Sequence, residues 1–213
     1  QTPLKIGVLT DFQSVYSDIG GAGNVEATKM AIEEFGGSIF GKPIELVTAD
    51  ALNKANVAAT ITRKWYEAEN VDMIIDMPTS ATALAGMEMS KQFEKLMIVT
   101  DAASSDITGK SCSPYTVHWT YDTYALSNVA GKAMVKRGED TWFFVTADYA
   151  FGYSLEEQTS KFVKSKGGEV KGAVRHPLAS TDYSSFLLQA QSSGAKVIGL
   201  ANAGGDTTNS IKQ

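Results

Sequence analysis

The 213-residue sequence has a single cysteine, Cys112, so no disulfide can form within it. Its pairing partner, if it has one, lies in sequence outside these residues, and cysteine usage does not reveal the compartment. Histidine is nearly as scarce, with only His118 and His176. Neither belongs to a His-Glu-x-x-His motif, no Cys-x-x-Cys pair occurs, and no Gly-x-Ser-x-Gly elbow is present. No catalytic residue, metal site or cofactor is therefore expected, and both histidines are expected in structural or solvated positions. Long apolar runs are also lacking. The longest, such as Trp142 to Val145, are strand-sized and far short of the roughly 20 residues that cross a bilayer. Basic charge is in deficit, with 19 Lys and Arg against 24 Asp and Glu and a net charge of −5, which excludes a nucleic-acid face. Gly21-Ala22-Gly23 is half a dinucleotide fingerprint, but Glu26 replaces its third glycine. The glycines also fall some ten residues past the strand, not in the tight first turn.

Ordinary globular material is present: 43% hydrophobic and 20% charged residues. Gln1-Thr2-Pro3 precedes a strand directly, as a processed N-terminus would. Strand patterns at Leu4–Thr10, Ile44–Asp50, Met73–Asp76 and Leu96–Val99 alternate with helical spacing over 23–35, 56–69 and 80–93. Thr79 or Ser80 serves as N-cap for the last of these helices. An irregular stretch covers 104–114, followed by extended residues 116–120. The alternation then resumes: helix 123–136, strand 141–146, helix 153–166, strand 169–175, helix 183–193, strand 197–201, and a helix starting at Thr207. Strict alternation implies α/β architecture with parallel sheets. Its break near 116–124 predicts two Rossmann-like lobes: 1–118, a hinge crossing at 119–123, and 124–213. The second lobe has only three strands and ends within a helix, so a C-terminally incomplete fold with exposed apolar surface is expected.

Parallel α/β sheets bind ligands beyond the carboxyl ends of their strands, which directs attention to the segments after each strand. These segments supply Tyr16, then Thr79 and Ser80 at a helix start, then Ala103 and Ser104, then Tyr149 and Phe151, and finally Asn202 and Asp206. Hydroxyls and amides at a helix N-terminus suit a carboxylate. Tyr149, Phe151 and Tyr16 offer flat apolar walls that suit a ring. Asn202 and Asp206 could bond a polar group at the ring's far end.

Several segments carry a family resemblance: Ile6-Gly7-Val8-Leu9-Thr10, Gly41-Lys42-Pro43-Ile44-Glu45-Leu46-Val47, Pro78-Thr79-Ser80-Ala81-Thr82, Ala102 to Thr108, Asp148 to Gly152 and Thr181 to Phe186. With them the chain resembles type I periplasmic solute-binding proteins of ABC importers, the branched-chain amino-acid (Leu/Ile/Val) group. Val117 to Leu126 and Ala201 to Thr207 resemble the branch that takes aromatic carboxylates such as benzoate and hydroxycinnamate derivatives. The resemblance implies a monomeric periplasmic protein, exported by a signal peptide and not itself inserted in a membrane. It would hold a small-molecule carboxylate in an interlobe cleft, deliver it to a membrane permease, and not act as an enzyme. The ligand carboxylate would meet the Ser80 and Ser104 segments, and Tyr149 and Phe151 would close from the second lobe. A branched-chain amino acid, or a sensing domain of a receptor or regulator, stands as the alternative. Family members are substantially longer than this sequence.

Overall fold

A computed structural model describes residues 3–213; Gln1 and Thr2, the start of the expected processed N-terminus, lie outside the described residues. Two compact units are resolved, Gln1–Ala102 with Asp106–Thr120, and Ala103–Ser105 with Tyr121–Gln213. The short stretch 103–105 thus groups with the second unit, although the sequence places it within 1–118.

In the first unit, strands β1 (Lys5–Thr10), β4 (Glu45–Asp50), β5 (Met73–Asp76), β6 (Leu96–Val99) and β7 (Thr116–His118) form a parallel sheet of order β4-β1-β5-β6-β7. A two-stranded hairpin, β2 (Ser38–Ile39) with β3 (Lys42–Pro43), sits apart and has no counterpart in the sequence reading. The helices are α1 (Gly21–Glu34), α2 (Ala55–Glu67) and α3 (Ser80–Phe93). The core gathers α2 and α3 against one face of the sheet, with Trp65, Tyr66, Ile74, Met77, Met87 and Met97 buried together. Gly7 lets β1 pass under the Trp65 ring, since a Cβ there would lie 2.6 Å from Cζ3. The opposite face is poorly covered. Of α1's 14 residues only Gly21 is buried, so the helix adds little to the core.

The second unit is a three-stranded parallel sheet of order β10-β8-β9, made of β8 (Thr141–Ala147), β9 (Glu169–His176) and β10 (Val197–Ala201). Its helices are α4 (Thr123–Lys136), α5 (Ala150–Ser165), α6 (Ser184–Ser192) and α7 (Gly204–Lys212). Trp142, Phe144 and Val163 pack on the α4–α5 side, and Phe143, Val145 and Ala190 on the α6 side. A groove of about 260 Å³ remains open beside Leu126, Trp142 and Leu200.

Two helices begin three residues earlier than the sequence indicates. α5 starts at Ala150 rather than Tyr153, and α7 at Gly204 rather than Thr207. In both, the N-cap (Tyr149 and Ala203) makes no side-chain capping bond, so the usual polar start signal is missing. α5 can start there because Gly152 packs against the end of β8, where a Cβ would fall 2.1 Å from the Ala147 carbonyl oxygen.

Candidate functional site

In the first unit the loop after β1 is folded around a buried carboxylate. Asp11 Oδ1 accepts from the N–H groups of Gln13 (3.2 Å) and Ser14 (2.9 Å), while Oδ2 accepts from Tyr16 N–H (3.2 Å) and from the Ser14 hydroxyl. This Asx-type turn buries the Tyr16 ring. Gly21, at φ 58°, then turns the chain into α1 and donates to Thr10 Oγ1 at 2.8 Å. Loop organisation, rather than ligand contact, is the role the structure shows for Asp11.

After β5 the backbone takes two successive positive φ values, 96° at Asp76 and 68° at Met77, which non-glycine residues rarely adopt. The kink sends Met77 into the core and leads to α3. Thr79 caps that helix reciprocally: its Oγ1 accepts from Thr82 N–H (3.4 Å), and the Thr82 hydroxyl accepts from Thr79 N–H (3.1 Å). Ser80, the first helical residue, is buried beside it. The start of α3 is thus rigidly built at the carboxyl end of β5, with the positive end of the helix dipole there.

The segment after β6 divides between the units. His118 Nε2 bonds the Ala102 carbonyl oxygen at 2.7 Å in the first. In the second, Ala103 accepts from Thr123 N–H at 2.8 Å, and Ser104 is fully buried. Ser105 joins a cluster the sequence does not announce. Its N–H donates to Thr123 Oγ1 (3.0 Å), Thr123 Oγ1 meets Ser154 Oγ (2.7 Å), and Gln158 donates to Ser105 Oγ (3.3 Å). These four residues are dispersed between 105 and 158, and no local pattern links them.

Tyr149 and Phe151 lie side by side at the end of β8, ring centroids 6.0 Å apart, both largely buried. Asn202 and Asp206 are committed to internal bonds. Asn202 bonds His176 Nε2 (3.1 Å) and Ser210 (3.3 Å) through its amide nitrogen and accepts from the Thr207 hydroxyl (2.8 Å). Asp206 accepts from the Tyr183 hydroxyl (2.7 Å) and from Ala179 N–H (3.4 Å). His176 is itself fully buried, bonded to Pro177 and edge-on to Tyr183. Within the first unit the structure therefore holds Tyr16, Thr79 and Ser80 at strand ends. Within the second it holds Ala103, Ser104, Tyr149 and Phe151, with Asn202 and Asp206 in a satisfied polar network.

A second polar feature went unread in the sequence. Asp76 and Asp101 form a close acidic pair at the ends of β5 and β6, with Asn24 donating to Asp101 Oδ2 at 2.8 Å. Burial first, and the Asp101 carboxylate second, push the Asp76 carboxyl up to about 8; burial also raises Asp101. Among the described residues no group of three or more His, Cys, Asp and Glu is placed to hold a metal, and no helix is long and apolar enough to cross a membrane.

Comparison with known proteins gives a consistent lineage. A periplasmic binding protein from Burkholderia mallei is 52% identical, superposes with a TM-score of 0.96, and is matched over 99% of this chain and 56% of its own. A solute-binding protein of an ABC transporter from R. palustris, solved with 4-hydroxybenzoate, is 26% identical with a TM-score of 0.88, over 99% of this chain and 57% of its own. Leu/Ile/Val-binding protein homolog 6 of Brucella abortus is 26% identical over 207 residues, 96% of this chain and 52% of the relative. The chain thus spans about half the length of these relatives. The periplasmic binding protein family is matched over residues 3–213, so this α/β chain with its parallel sheets belongs to that family.

Proposed function

We propose that this chain is part of an extracytoplasmic solute-binding protein that takes a small carboxylate, favouring an aromatic acid, and delivers it unchanged to the permease of an ABC importer. The observation that carries the reading is the rigid start of α3 at the end of β5, a helix N-terminus held by the Thr79–Thr82 box. There the first-turn N–H groups and Ser80 meet the carboxylate. Within the second unit, Ala103 and Ser104 offer a further polar segment, and the Tyr149–Phe151 pair offers aromatic surface for a ring. Tyr16 lines the first unit's contribution. Asn202 and Asp206, held by Tyr183, Thr207 and His176, stiffen the loop after β10 from buried positions. Kinship with a protein solved with 4-hydroxybenzoate supports the aromatic acid.

The second reading is a branched-chain amino acid, supported by the Brucella relative. An ammonium group would need a buried counter-charge, and Asp206 already accepts two hydrogen bonds. That favours the simple acid. Calorimetry with 4-hydroxybenzoate, benzoate and leucine separates the two, and mass analysis of recovered ligand tests whether it is unchanged. Ser104→Ala is expected to weaken an aromatic acid by about 1.5–3 kcal/mol, the worth of a hydrogen bond to a charged group. Tight leucine binding with no response to the aromatic acids would overturn the proposal.

A further inference from the structure

In the second unit one residue grips the chain on both sides of Ser104. Thr123, the first residue of α4, donates its backbone N–H to the Ala103 carbonyl oxygen at 2.8 Å. Its side-chain oxygen accepts the Ser105 N–H at 3.0 Å. Ser104, between those two bonds, has little freedom to turn. Thr123 is itself held. It is fully buried, and its Oγ1 meets Ser154 Oγ of α5 at 2.7 Å. Ser154 Oγ also lies 3.4 Å from Ser105 Oγ, which accepts from Gln158 Nε2 at 3.3 Å. One turn further on, Ser127 Oγ and Thr159 Oγ1 meet at 2.9 Å and tie the same two helices together.

Starting α4 does not require this hydroxyl. Asp122 already caps the helix, accepting from Ala125 N–H at 2.7 Å. Buried hydroxyls are costly unless bonded, and an apolar residue of threonine's shape would fill the same space. What the Thr123 hydroxyl adds is a fixed backbone at Ser104. Hydrogen bonds weaken steeply once distance and angle slip, so a polar contact is only as good as the groups that hold it. We propose that Thr123 is a positioning residue for the ligand carboxylate, a role that rests on Ser104 being the contact proposed above. Thr123 aims Ser104, and Ser154 and Gln158 steady Thr123 and Ser105 from α5.

Thr123→Val keeps the volume and the backbone N–H and removes only the hydroxyl. Calorimetry with 4-hydroxybenzoate and with leucine, the two candidate carboxylates, is expected to show binding roughly tenfold weaker than in the parent protein. Thr123→Ser, which restores the hydroxyl, should return the affinity to within about twofold. In a Ser104→Ala background Thr123→Val should weaken binding no further, because it acts through Ser104; a merely structural loss would add to the first. Without ligand, the Ser105 amide should exchange its hydrogen about tenfold faster in Thr123→Val, as its acceptor is gone. Should Thr123→Val not fold by circular dichroism, Ser154→Ala takes its place in the same cycle, with a loss in the same direction. Unchanged affinity in a folded variant, no rescue by serine, additive losses with Ser104→Ala, or unchanged exchange at Ser105 overturns the positioning role alone. A parent protein that binds neither acid overturns it together with the proposed function.

Discussion

Replacing Asp76 by asparagine should flatten the pH dependence of stability in the first unit. The folded carboxyl titrates at about 8 against 3.8 in an unperturbed chain. Between those values the folded state holds a proton that the unfolded chain has released, so stability falls as pH rises through this window and levels off above it. Burial raises Asp101 in the same direction, so a loss on the order of 1 kcal/mol or more is expected between pH 5 and 8.5. Urea unfolding at the two pH values measures it. Trp65, buried in this unit, reports the transition by fluorescence once Trp142 of the second unit is changed to Phe. Asparagine at 76 carries its own penalty for a buried amide, but that penalty does not depend on pH. The variant should therefore gain on the parent protein as pH rises. A parent protein whose stability climbs from pH 5 to 8.5, or a variant with the same slope, would refute the reasoning.

Other substitutions probe separate joints. Thr79→Ala should cost about 1 kcal/mol by urea unfolding and weaken acid binding, because it removes the cap that sets the start of α3. Gly7→Ala should destabilise by about 1–3 kcal/mol in thermal unfolding, since its Cβ would meet the Trp65 ring at 2.6 Å. Tyr183→Phe strips Asp206 of its hydroxyl donor and should cost about 1–3 kcal/mol; an unchanged melting temperature would mean that water replaces the donor.

Much of the fold was legible because each element carried its own signal. β5, β6, β10, α3 and α4 fall where alternation, apolar spacing and caps place them. The starts of α5 and α7 were hidden because tertiary packing, not a polar cap, fixes them. The β2–β3 hairpin was hidden because two-residue strands leave no period to read. Thr79, Ser80 and Tyr149 could be singled out because they follow strands. The Ser105–Thr123–Ser154–Gln158 cluster and the Asp76–Asp101 pair could not, since their members meet only through the topology of their sheets. The committed state of Asn202 and Asp206 was equally invisible, as their partners Tyr183 and His176 come from distant parts of the chain.

The slot that Gly7 opens beneath Trp65 also bears on how the chain finds its fold. β1 lies centrally, paired to β4 on one side and β5 on the other. If it slid by one residue during folding, Ile6 or Val8 would be driven under the indole, where not even a methyl group fits. In the second sheet Gly199 plays the same part against Phe144, where a Cβ would lie 2.5 Å from the ring. Each sheet thus carries a steric key, a bulky ring matched to a bare backbone, that rejects slipped pairings: in the first sheet as α2 packs down with Trp65, in the second between neighbouring strands β8 and β10. Misfolded populations should accordingly grow when the rings are trimmed, even where the native state itself is little weakened.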